Sequence, residues 1–250
     1  DHRDLHSFPT RRSSDLVSAA LQHAESHDLK FLTLLPRCLA TSQAEKIIQP
    51  TAMGYTGLWF PPDEVNDPAS PAVFGNGQYI LIERKHYDKL GGHSAVRGEF
   101  LEDFALMKKS KESGARSQVA FGVQIYGTRM YDSFAAIWRG WRRIYLHAFR
   151  RQPWVLAGKT LSVFLFSVIP FGGFIAVALA YARNPETSGL VFGFHVILLL
   201  FILATAWKTY SLVKANRLYA FLHPFAALVI GMILMDATWM AFARQETKWR

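Results

Sequence analysis

The sequence predicts an α/β water-facing piece followed by transmembrane α-helices, and three observations carry that expectation. Half of the 250 residues are hydrophobic, yet the charges crowd ahead of Lys159 and leave long uncharged runs behind it. In the charged part, short β-rich apolar runs alternate with stretches of helical spacing. In the uncharged part, three runs reach the roughly 20 apolar residues that a helix needs to cross a bilayer core of about 30 Å.

Residues 1–16 stand apart. Ser7-Phe8-Pro9-Thr10-Arg11-Arg12-Ser13-Ser14-Asp15-Leu16 reads like a translated sequencing-library adapter, although a disordered basic tail would have the same composition. We favour the first reading and set the segment aside, with the expectation that the native N-terminal part is missing. Residues 17–27 have helical spacing, and 29–35 form a strand stopped by Pro36. Residues 42–48 return to helical spacing, with Pro50 expected to end the helix. Tyr55, Leu58, Trp59 and Phe60 then cluster, either as a membrane-surface or acceptor-facing patch or as a buried loop anchor.

Residues 61–71 read as a loop, with Pro61, Pro62, Pro68 and Pro71. Phe74-Gly75-Asn76-Gly77-Gln78 leads into a β-rich run at 79–82. Glycines at such a junction permit positive φ and close approach by a ligand's phosphates, or simply make a turn. Residues 85–90 form a short helix closed by Gly91-Gly92. In the next helix, 99–109, Leu101, Phe104 and Ala105 share a face while Glu102 and Asp103 sit in the first turn. Acids there suit the positive end of the helix dipole, and they also suit proton transfer. Residues 117–123 read as a strand. Residues 132–149 form a helix carrying Trp138, Arg139, Trp141, Arg142, Arg143 and Tyr145, a basic aromatic pattern expected to lie along a membrane interface.

The expected spans are 160–182, 189–207 and 218–242. Pro170, Gly172 and Gly173 are expected to kink the first. The formal net charge is +9. The bases gather at Arg139, Arg142, Arg143, Arg150, Arg151 and Lys159, beside the first span, which marks the cytoplasmic face of a membrane; no nucleic-acid motif accompanies them. Lys208, Lys214 and Arg217 follow the second span. Three crossings then put the C-terminus outside, against the pull of Arg244, Lys248 and Arg250. Asp236 is expected near the exit end of its span, where its carboxylate can reach water rather than couple an ion. His195 and His223 are read as interfacial or hydrogen-bonded groups. Cys38 is the single cysteine, so neither an internal disulfide nor a cysteine-rich metal site is available. No metal ligands are predicted.

The order of these parts carries a resemblance. The run GNGQYILIERKHYDKLGGHSAVRGEFLEDFALMKKSKESG (75–114) resembles the second half of a family 2 glycosyltransferase catalytic domain. That half has a glycine-bearing strand, a helix ending in Gly-Gly, and a Glu-Asp pair opening a helix that is basic at its far end. Thr128-Arg129-Met130-Tyr131 and Trp138-Arg139-Gly140-Trp141 resemble the membrane-bound branch, which includes enzymes associated with hopanoids and carotenoids. The likeness covers roughly residues 28 to 210, and the Glu-Asp block is its most specific part.

The resemblance implies an incomplete GT-A-like (Rossmann-like) catalytic half over 17–130, an interfacial helix over 131–153, and three spans. It implies inverting transfer of a sugar from a nucleotide-sugar donor to a hydroxyl or carboxyl acceptor. The interface helix and spans point to a lipid acceptor, and the basic loops to the cytoplasmic face of a bacterial inner membrane. Asp103 would be the general base and Glu102 an orienting group. Gly75, Asn76, Gly77 and Gln78 would line the substrate side, and Trp138, Arg139 and Trp141 would close the acceptor and diphosphate side. Two departures stand out. The family's Gln/Arg-x-x-Arg-Trp is replaced by Ile-Trp-Arg-Gly-Trp at 137–141. The Asp-x-Asp that would hold Mg or Mn against the diphosphate belongs to the first half and is not in this chain. The 250 residues alone are therefore expected to be inactive. The rival reading is a non-enzymatic membrane anchor or partner-binding protein.

Overall fold

The computed structural model describes residues 13–244. The start of the adapter-like segment, residues 1–12, and the terminal Lys248 and Arg250 lie outside the described residues. The chain divides into two compact units, one of residues 1–39 and 55–130, the other of 40–54 and 131–250.

The first unit is built on a small mixed sheet. Its central strand β1 (Phe31–Leu35) pairs in parallel with β4 (Ser117–Phe121) and antiparallel with β3 (Ile80–Ile82). The sequence Phe-Leu-Thr-Leu-Leu is nearly all apolar because both faces of β1 are covered. On one face Phe31 packs with Val65, Leu106, Met107 and Val119. On the other, Leu32 and Leu34 pack with Ala20 and Ala120. Ala20 comes from α1 (Ser13–Ser26), which begins within the segment set aside above; Leu16 packs against the same cluster. A second, two-stranded ladder joins β2 (Arg37–Cys38) to β5 (Gly127–Thr128).

Pro50 does not end its helix. α2 runs Gln43–Trp59 through it. A proline inside a helix loses one backbone bond and crowds the carbonyl four residues back. Here Ile48, Gln49, Pro50, Thr51 and Ala52 are all buried, so packing all round the helix outweighs the local cost. The division between the units falls inside this helix, after Gly54.

The proline-rich stretch 61–71 contains a short helix, α3 (Pro62–Asn66), and two polar side chains tie it down. Asn66 donates to the Val119 carbonyl at 3.0 Å and accepts from the Val119 N–H at 2.7 Å, which satisfies a backbone pair on β4. Lys111 donates to the carbonyls of Val65, Ser70 and Ala72 at 2.8, 3.0 and 2.7 Å. All three ammonium donors are used within the fold. Lys111 lies on α5 (Glu102–Glu112), so the basic far end of that helix has a structural use. The helix α4 (Arg84–Lys89) is closed as expected: Gly91 and Gly92 take φ of 82° and 57°, where side chains are disfavoured.

The second unit is helical. α6 (Phe134–Ala148) opens on Ser133, whose hydroxyl accepts from the Ala136 N–H at 3.3 Å. Behind it come α7 (Pro153–Val163), α8 (Ile169–Arg183), α9 (Pro185–Leu212) and α10 (His223–Phe242). Three stretches are long and apolar enough to cross a membrane: Pro153–Arg183, Gly189–Leu212 and Arg217–Phe242.

The irregularity in the first stretch lies one turn ahead of the expected glycines. Phe164–Val168 is a π-turn, and Val168 departs to φ −115°. Pro170 lacks an N–H and its ring presses on the carbonyl four residues earlier, that of Phe166, so the helix yields on the N-terminal side of the proline.

The first and last apolar stretches pack on each other. Trp154 stacks edge-on against Phe242, with ring centroids 5.1 Å apart. Thr160 and Thr238 share a hydroxyl bond of 3.2 Å, and Gly231 lies against the Phe164 ring. α7 and α10 are therefore antiparallel, and the end of the last apolar stretch lies beside the start of the first.

Candidate functional site

The loop that enters β3 folds back onto the start of α5. The Gly77 N–H donates to Asp103 Oδ2 at 2.7 Å, and the Phe104 N–H donates to Asp103 Oδ1 at 2.8 Å. Each carboxylate oxygen thus accepts a backbone bond, and the N–H of Asp103 itself also acts on the carboxylate. The loop is anchored from behind. Asn76 donates through its side chain to the Leu34 carbonyl at 2.6 Å, and its N–H donates to the Thr33 hydroxyl at 3.1 Å. Gln78 accepts from the Thr128 hydroxyl at 2.9 Å.

Neither Gly75 nor Gly77 uses a left-handed φ. Close approach is what requires them. A Cβ on Gly75 would run into the Asp103 carbonyl and lie 2.9 Å from the Phe104 nitrogen, and one on Gly77 would stand 3.3 Å from Asp103 Oδ2. What the glycines admit is the first turn of α5. Beneath the loop, Phe60, Phe74 and Phe104 form a cluster, with Phe104 edge-on to Phe74 at 5.0 Å and to Phe60 at 5.5 Å. Phe60 is therefore an anchor, whereas Leu58 of the same aromatic-rich stretch is exposed.

Burial holds the Asp103 carboxyl above the ordinary carboxylate range; the bonds from Phe104 and Gly77 pull the other way, and the neighbouring Glu102 charge adds to the rise. The result is a half-buried carboxylate that is a stronger base than a free one, fixed in direction by two N–H groups. Glu102 itself is exposed. So Gly75 and Gly77 meet Asp103, 26 residues on from Gly77, whereas Asn76 and Gln78 anchor the loop to Thr33, Leu34 and Thr128.

Trp138, Arg139 and Trp141 belong to the second unit. Trp141 is buried, and its indole N–H donates to the Gln49 side chain at 2.5 Å. Trp138 donates to Asp236 Oδ2 at 2.7 Å, and Arg142 donates to the same oxygen at 3.0 Å. Arg139 is exposed. Asp236 is thus held by protein groups, where the sequence suggested that it reaches for water. The pairing fits the cost of leaving a carboxylate unpaired in an apolar helix. Gln49, Arg142 and Lys111 were given no such roles on sequence grounds. Their partners lie tens of residues away, and no local spacing signals them.

The magnesium or manganese implied by the resemblance has no donor set among the described residues: no three His, Cys, Asp or Glu side chains come together there. No chemical step is assigned to a metal. Compared with known proteins, the chain matches no family model, no curated protein and no solved structure.

Proposed function

We propose that this chain is the acceptor-side part of a membrane-bound, inverting glycosyltransferase, with Asp103 as its general base. The observation that supports the reading most is the seating of the Gly75–Gln78 loop on the Asp103 carboxylate. In this reading an acceptor hydroxyl bonds to the Asp103 carboxylate. As the hydroxyl oxygen attacks the anomeric carbon, the bond from that carbon to the nucleoside diphosphate breaks, and the proton passes to the carboxylate. The raised proton affinity of Asp103 favours that transfer. The donor-binding half, with its acidic pair and its Mg or Mn, would come from residues outside these 250. A lipid acceptor is proposed from the apolar helices that follow in the chain.

One observation favours a different role. Both Asp103 oxygens already hold backbone N–H groups, as a purely structural latch would. In that case the protein is a non-enzymatic membrane anchor or partner-binding protein. The two readings part in a transfer assay. Membranes containing the protein, expressed from its complete open reading frame, are incubated with radiolabelled nucleotide sugars and a lipid extract. Glycosyl transfer places label in the organic phase; absence of labelled lipid across the common donors favours the latch.

A further inference from the structure

Asp236 and the ring pair Trp154–Phe242 bear on how the chain enters the membrane. A residue ahead of the first crossing and a residue behind the last can touch only if they lie at the same depth. The number of crossings between them is then even, because the two faces of the hydrocarbon core are about 30 Å apart. Trp154 and Phe242 are 5.1 Å apart, centroid to centroid. Asp236, less than two turns before Phe242, is paired with Trp138 and Arg142 of α6, which also precedes every apolar stretch.

We propose that the chain crosses the membrane twice. The crossing element is the hairpin of α8 and α9, while α7 and α10 lie along one face, embedded in a single leaflet. The proposal does not depend on the glycosyltransferase reading.

The hairpin has the character of a crossing element. No charged residue falls between Lys159 and Arg183, or between Glu186 and Lys208. α8 and α9 pack on each other, with Tyr181 stacked on Phe192 at 4.6 Å, and otherwise present apolar side chains outward, Phe201 being 71% exposed and Leu190 94%. Arg183, Asn184 and Glu186 form a polar tip. The π-turn ahead of Pro170 is where the chain leaves α7 to enter the hairpin.

α10 is apolar all round but packs against protein on one side only. Ala227, Ile230, Leu234 and Ala237 are buried against protein. Phe225, Leu228, Met235, Trp239 and Phe242 are exposed on the other side, an apolar stripe suited to acyl chains and bordered by Trp154. Its N-terminal end also lies close to the helices ahead of the first crossing. Tyr219, in the turn leading into α10, donates to Gln43, and Tyr210 at the end of α9 donates to the Ile47 carbonyl. The same stretch of α2 holds Trp141 through Gln49.

The charge pattern supplies separate support. With two crossings Arg139, Arg142, Arg143, Arg150, Arg151, Lys208, Lys214, Arg217 and Arg244 all share a face, and the tip, with one base and one acid, occupies the other. With three crossings the C-terminal bases oppose the rest.

Three single-cysteine variants in a Cys38→Ser background test the proposal in the full protein: Asp132→Cys ahead of α6, Asn184→Cys at the tip, and Ala243→Cys after α10. Membrane-impermeant maleimide is applied to sealed vesicles of each orientation. Two crossings require residues 132 and 243 to label from one side and residue 184 from the other. Labelling of 243 from the side opposite to 132 restores three crossings and overturns the proposal. Labelling of 184 from the same side as 132 removes the crossing hairpin and overturns it as well.

Discussion

Asp103→Asn is expected to lower the turnover number for sugar transfer by about 10²- to 10⁴-fold, the range that a positioned general base contributes. The amide cannot accept the acceptor's proton, yet its oxygen can still receive the Gly77 N–H that docks the loop. It loses the acceptor of the Phe104 N–H, because the amide NH2 only donates. It also removes a carboxylate that burial disfavours in its charged form, so the loss in folding should be modest. Donor binding should be nearly unaffected. Loss of turnover with a largely intact thermal midpoint and an intact donor Kd marks a chemical role. A midpoint that collapses along with activity would instead mark Asp103 as the latch that holds loop and helix together. Retention of near-normal turnover would remove Asp103 from the mechanism altogether.

Gly75→Ala is expected to damage the fold far more than Gly77→Ala, although the two glycines lie two residues apart. At Gly75 the added methyl meets backbone, the Asp103 carbonyl and the Phe104 nitrogen, and neither can swing aside. The loop must lift from α5, which breaks the Gly77 bond to Asp103 and opens the cluster of Phe60, Phe74 and Phe104. A cost of about 3 kcal/mol is in keeping with overpacking against a rigid neighbour. At Gly77 the nearest atom is the end of the Asp103 side chain, 3.3 Å away, which can shift by a few tenths of an ångström. That substitution should cost under about 1 kcal/mol. Chemical denaturation of the detergent-solubilised protein checks both. Equal midpoints for the two variants would mean that the close approach of loop to helix is not what the glycines serve.

Much of the fold was legible because it rests on local spacing. The run at 29–35 announced a strand, Gly91-Gly92 a helix end, and 132–149 a basic aromatic helix. The uncharged runs announced helices long enough to cross a membrane. What escaped depends on partners distant in sequence. Pro50 looks like a helix terminator until its neighbours are seen to be buried. Lys111 looks like one more base at a helix end until three carbonyls from 65–72 are found around it. Asp236 gave no hint of Trp138 and Arg142. Counting apolar runs cannot see that α7 and α10 pair antiparallel.

At the candidate site, both the glycine loop and the acidic pair were visible as separate motifs. Their meeting was not, because it follows from the pairing of β1 with β3 and the packing of α5 on the sheet. The meaning of the glycines also shifted. On sequence they admitted a ligand's phosphates or a simple turn; in the fold they admit the helix that presents Asp103.

The pH dependence of the turnover number, measured with saturating donor and lipid acceptor, tests the role of Asp103 most directly. A carboxylate base works only when ionised, so the rate should fall as pH drops through its pKa. Burial raises that pKa, so the acid limb should lie above the roughly 3.9 of a free aspartate, and the residual activity of Asp103→Asn should lack it. An acid limb that persists unchanged in Asp103→Asn would contradict the assignment of this carboxylate as the proton acceptor.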